Sequence, residues 1–344
     1  MSTDDDLTFF KPRYLSDASL ESVQEADAPY DLITFLAVIQ KLQVDILPTT
    51  WQAARQPIGV GATGIINEAL IDLHTSFAFK RASNRQKEKQ AEERIIHTLI
   101  SEVIALGHPL IRKHRNIVEL QGICWDIVSD DRGNDKVWPV LVFEKSQYGD
   151  LYSFATLPVG RALCVAERLK LCVDVGIAIL DMHFNKIIHG DIKPENVLVF
   201  KDDAGAYTAR VTDFGYSTRF AGEDDLVSVP KSWPWCAPEC EHEKLKPIQA
   251  RKMDVFSFGM LCLWVLFEKY LSGITPHMCK SILADLKQQD RLAMLAQQLV
   301  LAERDIETDK KKALERFFST SLARNPDERD ESLSALPGLL IPTW

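Results

Sequence analysis

The chain has 344 residues, of which 46% are hydrophobic and 26% charged, and its formal net charge is −9. This length allows one large or two medium domains with a buried core, and the composition is that of an ordinary globular protein. The negative charge argues against nucleic-acid binding, because phosphate backbones require a basic face.

Membrane insertion is also excluded by the sequence pattern. The longest apolar run, 255–267, has thirteen residues, which is too short to span a bilayer and predicts a buried helix. The polar, acidic start at 1–6 is unlike a signal peptide. We therefore expect a cytoplasmic protein.

Cysteine usage agrees with that compartment. The seven cysteines are odd in number and scattered, which predicts reduced, mostly buried thiols. Cys236 and Cys240 lie close together, but no second Cys/His pair supports a zinc site. The full set is Cys124, Cys164, Cys172, Cys236, Cys240, Cys262 and Cys279.

The N-terminal region predicts a leader and one helix. Residues 1–28 are rich in Asp, Ser and Glu and predict a loosely docked segment. Apolar residues then recur at helical spacing from Tyr30 to Ile46, before Pro48. We interpret this helix as a packing extension of the following lobe, with a partner-binding helix as the alternative.

A glycine pattern follows at Gly59, Gly61 and Gly64. A dinucleotide-binding fold would need a helix directly after this pattern, whereas 65–71 predicts a strand. The glycines are therefore interpreted as a hairpin whose backbone N–H groups approach phosphates.

The remaining elements alternate between strands and helices. A short apolar stretch ends at Lys80, and a helical pattern runs from Ile95 to Leu106. Two strands are predicted at Ile117–Trp125 and Val137–Phe143, joined by a polar turn. Dense apolar spacing over Val165–Phe184 predicts a central buried helix.

The most informative stretch is 189–200, which contains Asp191, Lys193 and Asn196 before an apolar run, with Asp213 seventeen residues beyond Asn196. Phosphoryl transfer requires such a set. One carboxylate orients the attacking hydroxyl, a lysine neutralises the moving phosphoryl group, and an amide and a second carboxylate hold metal ions.

Taken together, these motifs resemble those of eukaryotic-type protein kinases over roughly Gln56–Asp330. The order and spacing of several motifs carry the resemblance. They are Gly59–Gly64, Phe77–Lys80, His189–Asn196, Asp213–Gly215, Ala237–Glu239, Asp254–Gly259 and Asn325–Arg329.

The resemblance implies an α+β, bilobal fold. A small lobe with a five-stranded, largely antiparallel sheet and one main helix would span 51–145. A larger, mainly helical lobe with a short tail would span 146–344. Residues 1–50 would form the acidic leader and accessory helix.

The resemblance also implies the nucleotide contacts. The glycine hairpin and Lys80 would contact ATP phosphates, Ile66 and Ala78 would cover adenine, and Phe143 would be the gatekeeper. The backbones of Glu144 and Ser146 would bond the adenine edge. The full set is Gly59, Gly61, Gly64, Ile66, Ala78, Lys80, Phe143, Glu144, Ser146 and Leu198.

Kinases pair this lysine with a helix glutamate, and three candidates exist: Glu92, Glu93 and Glu102. We choose Glu102 because Glu102 to His108 matches the family pattern E-x-x-x-L-x-H. The next family motif arrives three residues late at His114, which implies a small insertion.

The catalytic roles follow in the same way. Asp191 would be the base, with Lys193 beside it favouring a Ser/Thr kinase over a tyrosine kinase. Asn196 and Asp213 would hold Mg²⁺, with Mn²⁺ as an alternative.

The resemblance assigns structural duties to further residues. Glu239 would pair with Arg329, and Asp254 would bond the catalytic-loop backbone. Ser232 takes the place of a threonine that contacts the catalytic Asp and Lys. Four side chains would form a hydrophobic column between the lobes: Leu106, Leu120, His189 and Phe214.

The main departure from the family is Gly190, where most members carry an arginine that binds an activation-loop phosphate. Glycine cannot make that contact. We therefore predict that phosphorylation of Ser217, Thr218 or Ser228 is not required for activity.

The expected function is ATP-dependent phosphorylation of Ser/Thr hydroxyls on protein substrates, without nucleic-acid or membrane partners. Two alternatives remain: a pseudokinase that binds nucleotide or partners, and a small-molecule phosphotransferase of the aminoglycoside type, whose loop also reads His-Gly-Asp. The sequence leaves the oligomeric state open.

Overall fold

The computed structural model describes residues 30–51, 57–60, 65–70, 76–81, 89–129, 133, 135–240, 244–271 and 276–340. The predicted leader at 1–28 and the glycines Gly61 and Gly64 lie outside these residues. Within them the fold is α+β with a small sheet-containing lobe and a larger helical lobe, so the predicted fold class is confirmed.

The small lobe is built on one six-stranded sheet. Its strands are β1 (Ile46–Trp51), β2 (Pro57–Val60), β3 (Ile65–Leu70), β4 (Ser76–Arg81), β5 (Leu120–Ser129) and β6 (Asp135–Glu144), in the order β1-β5-β6-β4-β3-β2. The five predicted antiparallel strands are present, and β1 adds a sixth, parallel to β5.

One long helix, α2 (Lys89–Leu106), accompanies the sheet. Its apolar residues recur every three or four positions, which gives it one buried face. This face includes Ile96, Leu99, Ile100 and Val103, all of which are buried. The packing fixes the rotation of α2, and therefore the direction in which its remaining side chains point.

The N-terminal helix α1 (Leu32–Lys41) packs on α2. Asp31 caps it by accepting a hydrogen bond from the backbone N–H of Thr34 at 2.8 Å, and Phe35 is fully buried. The helix is shorter than predicted: Gln43 adopts a left-handed φ of 53°, and Ile46 begins β1.

The large lobe surrounds two central helices, α5 (Val165–Phe184) and α6 (Pro247–Leu271). The α5 bounds match the predicted ones. The predicted buried helix at 255–267 lies within α6, where every residue of that run is buried. A helix that is apolar on all sides belongs in a core, and α6 packs against α5 and other helices.

The other elements complete this lobe. Short strand pairs join β7 (Ile187–Ile188) to β10 (Thr218–Arg219) and β8 (Val197–Lys201) to β9 (Tyr207–Val211), both antiparallel. The remaining helices are α3 (Leu151–Thr156), α4 (Pro158–Arg161), α7 (Pro276–Gln288), α8 (Leu292–Ala302), α9 (Thr308–Ser321) and α10 (Leu336–Leu340).

Among the described residues, none of the helices combines the length and apolar character needed to cross a bilayer.

Candidate active site

Lys80 on β4 is held by two carboxylates from different parts of the chain. Its Nζ donates to Glu102 on α2 at 2.9 Å and 2.7 Å, and to Asp213 at 2.7 Å. Lys80 and Glu102 are both buried. Burial alone would lower the pKa of Lys80, but the negative charges of Glu102 and then Asp213 reverse this and raise it.

The structure distinguishes the three candidate glutamates on α2. Glu102 faces Lys80, whereas Glu92 forms an ion pair with Lys136 and Glu93 is exposed. The helical period explains this outcome, because Glu102 lies on the same side as the buried residues three and four positions away.

Asp213 lies two residues after the end of β9 and has a left-handed backbone, with φ 62°. The N–H of Thr212 bonds the carbonyl of Asn196 at 2.9 Å. Phe214 is fully buried, and its ring meets that of His189 edge-on, with the centroids 5.0 Å apart. These contacts tie the Asp213 segment to the Asp191 loop.

Asp191 is the centre of the second cluster. Its Oδ2 accepts hydrogen bonds from Lys193 Nζ at 2.6 Å and Asn196 Nδ2 at 3.0 Å. Its Oδ1 is buried and has no hydrogen-bond partner among the described residues. Lys193 also donates to Ser232 at 3.3 Å. One carboxylate oxygen is thus fixed and the other remains available.

The buried Asp254 of α6 binds the backbone of the loop that carries Asp191. The carboxylate of Asp254 accepts the backbone N–H groups of His189 and Gly190, both at 2.9 Å. It also lies 3.0 Å from His183 Nε2. Charge-assisted bonds of this kind hold backbone more firmly than neutral ones.

Gly190 has φ +79°, a conformation that side chains other than glycine rarely adopt. A Cβ there would lie 3.4 Å from the backbone oxygen of Tyr216. The space alone would therefore not exclude a side chain. The backbone conformation therefore favours the glycine that replaces the family's arginine.

The residues predicted to contact adenine lie on strands of both lobes. Ala78 and the buried Phe143 are cross-strand partners on β4 and β6. Gly59 pairs with Ile66 in the β2–β3 hairpin, and Leu198 pairs with Asp150.

The two residues whose backbones are predicted to bond the adenine edge have side chains that are held by other contacts. Glu144 forms an ion pair with Arg210 at 2.5 Å. Ser146 is buried, and its Oγ donates to Val199 O at 2.5 Å. Their side chains are thus committed to contacts with β8 and β9, which leaves backbone groups as the means of contacting a ligand.

The segment from Asp213 to Glu239 is secured at its far end by an ion pair. Arg329 Nη2 lies 2.9 Å from Glu239 Oε2, and a second bond joins Nη1 to Oε1. Arg329 also donates to the carbonyls of Ala323, Arg324 and Lys252. A buried cation with these partners fixes the segment.

Two residues of this region lie outside the site predicted from the sequence. Burial, followed by the charges of Asp191 and Asp213, raises the pKa of the Tyr216 phenol. Lys287 is buried beneath the Ala237–Glu239 turn. Tyr216 could have been suspected from its position after Asp213–Gly215, whereas nothing around Lys287 in the sequence marks it.

Within the described parts of the chain, no three His, Cys, Asp or Glu side chains form a group able to hold a metal ion. This includes Cys236 and Cys240, which lie together without a third such ligand among those residues.

Comparison with known families agrees with this geometry. A protein kinase domain family matches residues 53–336. The chain therefore belongs to the protein kinase domain family.

Relatives of this chain are kinases of several kinds. A receptor protein kinase-like protein of Arabidopsis thaliana is 27% identical over 239 residues, covering 66% of this chain and 28% of that protein. Mitogen-activated protein kinase kinase kinase 13-A of Xenopus laevis is 33% identical over 167 residues, covering 48% and 15%.

A third relative, a G-type lectin S-receptor-like serine/threonine-protein kinase of Arabidopsis thaliana, is 28% identical over 212 residues, covering 60% of this chain and 23% of that protein. The matched region thus spans less than a third of each of these three relatives.

Proposed function

We propose that this protein is an active, ATP-dependent kinase that phosphorylates Ser or Thr hydroxyls of protein substrates. The observation that carries the proposal is the bridge from Lys80 to both Glu102 and Asp213. Phosphoryl transfer by kinases requires an ion pair between this lysine and a helix glutamate, together with an aspartate that holds the metal ion.

The residues proposed to hold a metal ion have oxygen ligands that suit Mg²⁺. Asn196 and Asp213 offer one amide and one carboxylate oxygen, and Mg²⁺ is usually bound by one or two carboxylates together with substrate phosphates. The buried, unpartnered Oδ1 of Asp191 is a further oxygen in the same loop. When bound, Mg²⁺ would neutralise charge on the β- and γ-phosphates.

The protein's own groups would then act on the substrate. Lys80 would orient the α- and β-phosphates, and Asp191 would align the substrate hydroxyl and accept its proton late in the transfer. Lys193, which lies 2.6 Å from Asp191 Oδ2, would offset charge on the transferred group. Glycines of the β2–β3 hairpin, Gly61 and Gly64 among them, would cover the phosphates.

Ser/Thr specificity is supported by Lys193 and Ser232. The side chains of Asp191, Lys193 and Ser232 form one hydrogen-bonded row, and serine or threonine at the last position accompanies a Ser/Thr loop in the family. A name containing serine/threonine kinase among the relatives supports the same proposal.

A reducing compartment, the cytoplasm, is proposed for this activity. The six cysteines whose side chains the structure describes are all free thiols, which is usual where glutathione keeps thiols reduced.

The test is transfer of labelled γ-phosphate from ATP with Mg²⁺ to a degenerate peptide library, with wild type and Asp191→Asn in parallel. Labelling of Ser/Thr peptides that is lost in the variant supports the proposal. Binding of ATP without transfer supports a pseudokinase, and labelling of an aminoglycoside but of no peptide supports the small-molecule alternative.

We further propose that the kinase works without activation-loop phosphorylation. Ser217 is buried, and Thr218 is paired with Ile188 in the β10–β7 ladder, so the segment is ordered by its own contacts. Phosphatase treatment should leave activity unchanged. Loss of activity on treatment, together with its return in a phosphomimetic variant at Ser217, Thr218 or Ser228, would overturn this.

A further inference from the structure

Two thiols lie together on either side of the Ala237–Glu239 turn. The Sγ atoms of Cys236 and Cys240 are 3.0 Å apart, with Cys240 donating to Cys236. Both residues are 7% exposed. A disulfide bond is about 2.05 Å long, so the two sulfurs need to approach by only about 1 Å to be joined.

A buried ammonium group lies against this pair. Lys287 of α7, 8% exposed, donates to the carbonyls of Pro234 and Cys236, both at 2.8 Å. Its Nζ is 3.9 Å from Cys236 Sγ. In the described parts of the chain, Lys287 forms no ion pair with a carboxylate, so the anion best placed to balance it is a Cys236 thiolate.

The surroundings of the two thiols differ in a directional way. The hydrogen bond from Cys240, with help from the charge of Lys287, outweighs burial and lowers the pKa of Cys236 to about 7. The pKa of Cys240 is raised by the same hydrogen bond and by burial, against the charges of Lys287 and Lys231. Cys236 is therefore the nucleophile and Cys240 the partner that stays protonated.

We propose that Cys236 and Cys240 form a peroxide-reactive dithiol site in which Cys236 is oxidised first and Cys240 closes a disulfide. The Cys236 thiolate attacks one oxygen of a hydroperoxide, the O–O bond breaks, and the departing oxygen takes a proton. The sulfur of Cys240 then displaces the oxygen of the resulting sulfenic acid as water. Two thiols lose two electrons, and the peroxide is reduced.

Closure of this bond changes the end of the segment from Asp213 to Glu239. Glu239 stands between the two cysteines and is bound to Arg329, and Lys287 loses the sulfur anion beside it. We expect the disulfide form to transfer phosphate more slowly. This consequence rests on the proposed kinase activity, whereas formation of the disulfide does not.

The core contains a matched pair for comparison. Cys172 on α5 and Cys262 on α6 are also neighbouring thiols, each 2% exposed. Burial, together with Cys172, raises the pKa of Cys262 well above its ordinary value. The core thus contains a second thiol pair, in which the pKa of Cys262 is raised, whereas the pKa of Cys236 is lowered.

The experiment treats the reduced full-length chain with hydrogen peroxide near stoichiometric amounts, blocks remaining thiols, and analyses tryptic peptides by mass spectrometry. Cys236 and Cys240 share the peptide 232–244, so a disulfide appears as the loss of two hydrogens without a change of peptide. We expect this product before any link between Cys172 and Cys262. Absence of the product, or equal oxidation of both pairs, overturns the proposal.

Variants separate the roles. Cys240→Ser should stop at a sulfenic acid that dimedone traps on Cys236. Lys287→Met should slow oxidation of Cys236 by about tenfold, since each unit of pKa changes the thiolate fraction about tenfold below the pKa. Lys312→Met, on the exposed part of α9, is the control. An unchanged rate in Lys287→Met overturns the role of the ammonium group.

Activity is measured on the same samples. Oxidised wild type should lose kinase activity and recover it with dithiothreitol, whereas the Cys236→Ser/Cys240→Ser double variant should be insensitive. Disulfide formation with unchanged activity overturns the effect on catalysis alone. A chain without any basal transfer contradicts the proposed function, while the peptide 232–244 still decides the dithiol site.

Discussion

Two buried ammonium groups, one in each lobe, are balanced in different ways. Lys80 meets the carboxylates of Glu102 and Asp213. Lys287 meets two carbonyl groups and, at a longer distance, the sulfur of Cys236. A carboxylate keeps its charge across the physiological pH range, whereas a thiol changes charge with pH and is lost as a partner on oxidation.

The comparison shows how a buried charge can be either permanent or conditional. At Lys80 the partners are fixed, which suits a group that must always be ready to bind phosphates. At Lys287 the partner is variable, which suits a group whose surroundings respond to chemistry outside the active site.

The largest effect is expected for Lys80→Met. The variant removes the proposed phosphate contact and leaves the buried Glu102 without its cation, so phosphate transfer should fall by at least about 100-fold. The measurement is the initial rate of labelled-phosphate transfer, with circular dichroism to check folding. Lys41→Met, at the end of α1, is the control. A folded Lys80→Met variant with near-normal transfer would contradict the assignment.

Arg329→Met removes a third buried cation, which is balanced by a carboxylate as Lys80 is. Because Glu239 would be left without its partner, the free energy of unfolding should fall by about 3–5 kcal/mol. Urea denaturation measures it, with Arg324→Met as the exposed control. In the Arg329→Met/Glu239→Gln double variant, part of the lost free energy of unfolding should be recovered. If the effects of the two substitutions simply added, the loss would not come from an unpaired charge on Glu239.

Lys287→Met should lower the free energy of unfolding by less than Arg329→Met does. The carbonyls of Pro234 and Cys236 lose their donor, and a buried unsatisfied group typically costs about 1–3 kcal/mol. No carboxylate is stranded among the described residues, so the loss should be smaller than for Arg329→Met. Urea denaturation of both variants in one buffer gives the order, and a reversed order would break the comparison.

The smallest effect concerns pH. In the folded protein the pKa of Cys236 is lowered from its ordinary 9.0 to about 7. The thiolate therefore adds to the free energy of unfolding, and this contribution reaches its full size above the ordinary pKa. This contribution is lost as the pH falls through about 7. The groups facing this thiol are Cys240 and Lys287, with Lys231 near Cys240.

Alkylation by iodoacetamide, followed by peptide mass spectrometry, measures this titration. The rate at Cys236 should rise with a midpoint near pH 7. Cys124 should not react until much higher pH, because burial and then the charge of Asp126 raise its pKa to about 11. Equal midpoints for Cys236 and Cys124 would be the opposite outcome.

Much of the candidate site could be predicted from the sequence, because its residues lie in short motifs that follow one another in a typical order. Asp191, Lys193 and Asn196 are within six residues of each other, and local geometry alone brings their side chains together. Glu102 required one further step, the spacing of its helix relative to a family pattern. The fold class followed from the same motifs.

Other features depend on contacts far apart in the chain and left no local pattern. The apolar spacing predicts that Ile46 ends a helix, but Ile46 begins a strand in which its partner is Ile123. Pro48 is typical of a residue that follows a helix, although proline is also tolerated in edge strands. Lys287 comes from a helix rich in polar residues, and its burial depends on the Pro234–Cys236 turn, more than fifty positions earlier.

The parallel strand β1 has a consequence for any shortened version of the protein. It covers one side of β5, a strand of ten residues whose other side is taken by β6. A fragment starting where the family match starts, at residue 53, would lack α1 and β1 and would leave a row of unpaired backbone groups along that side of β5. Such a row is a template for association between copies, so a shortened version should keep both α1 and β1.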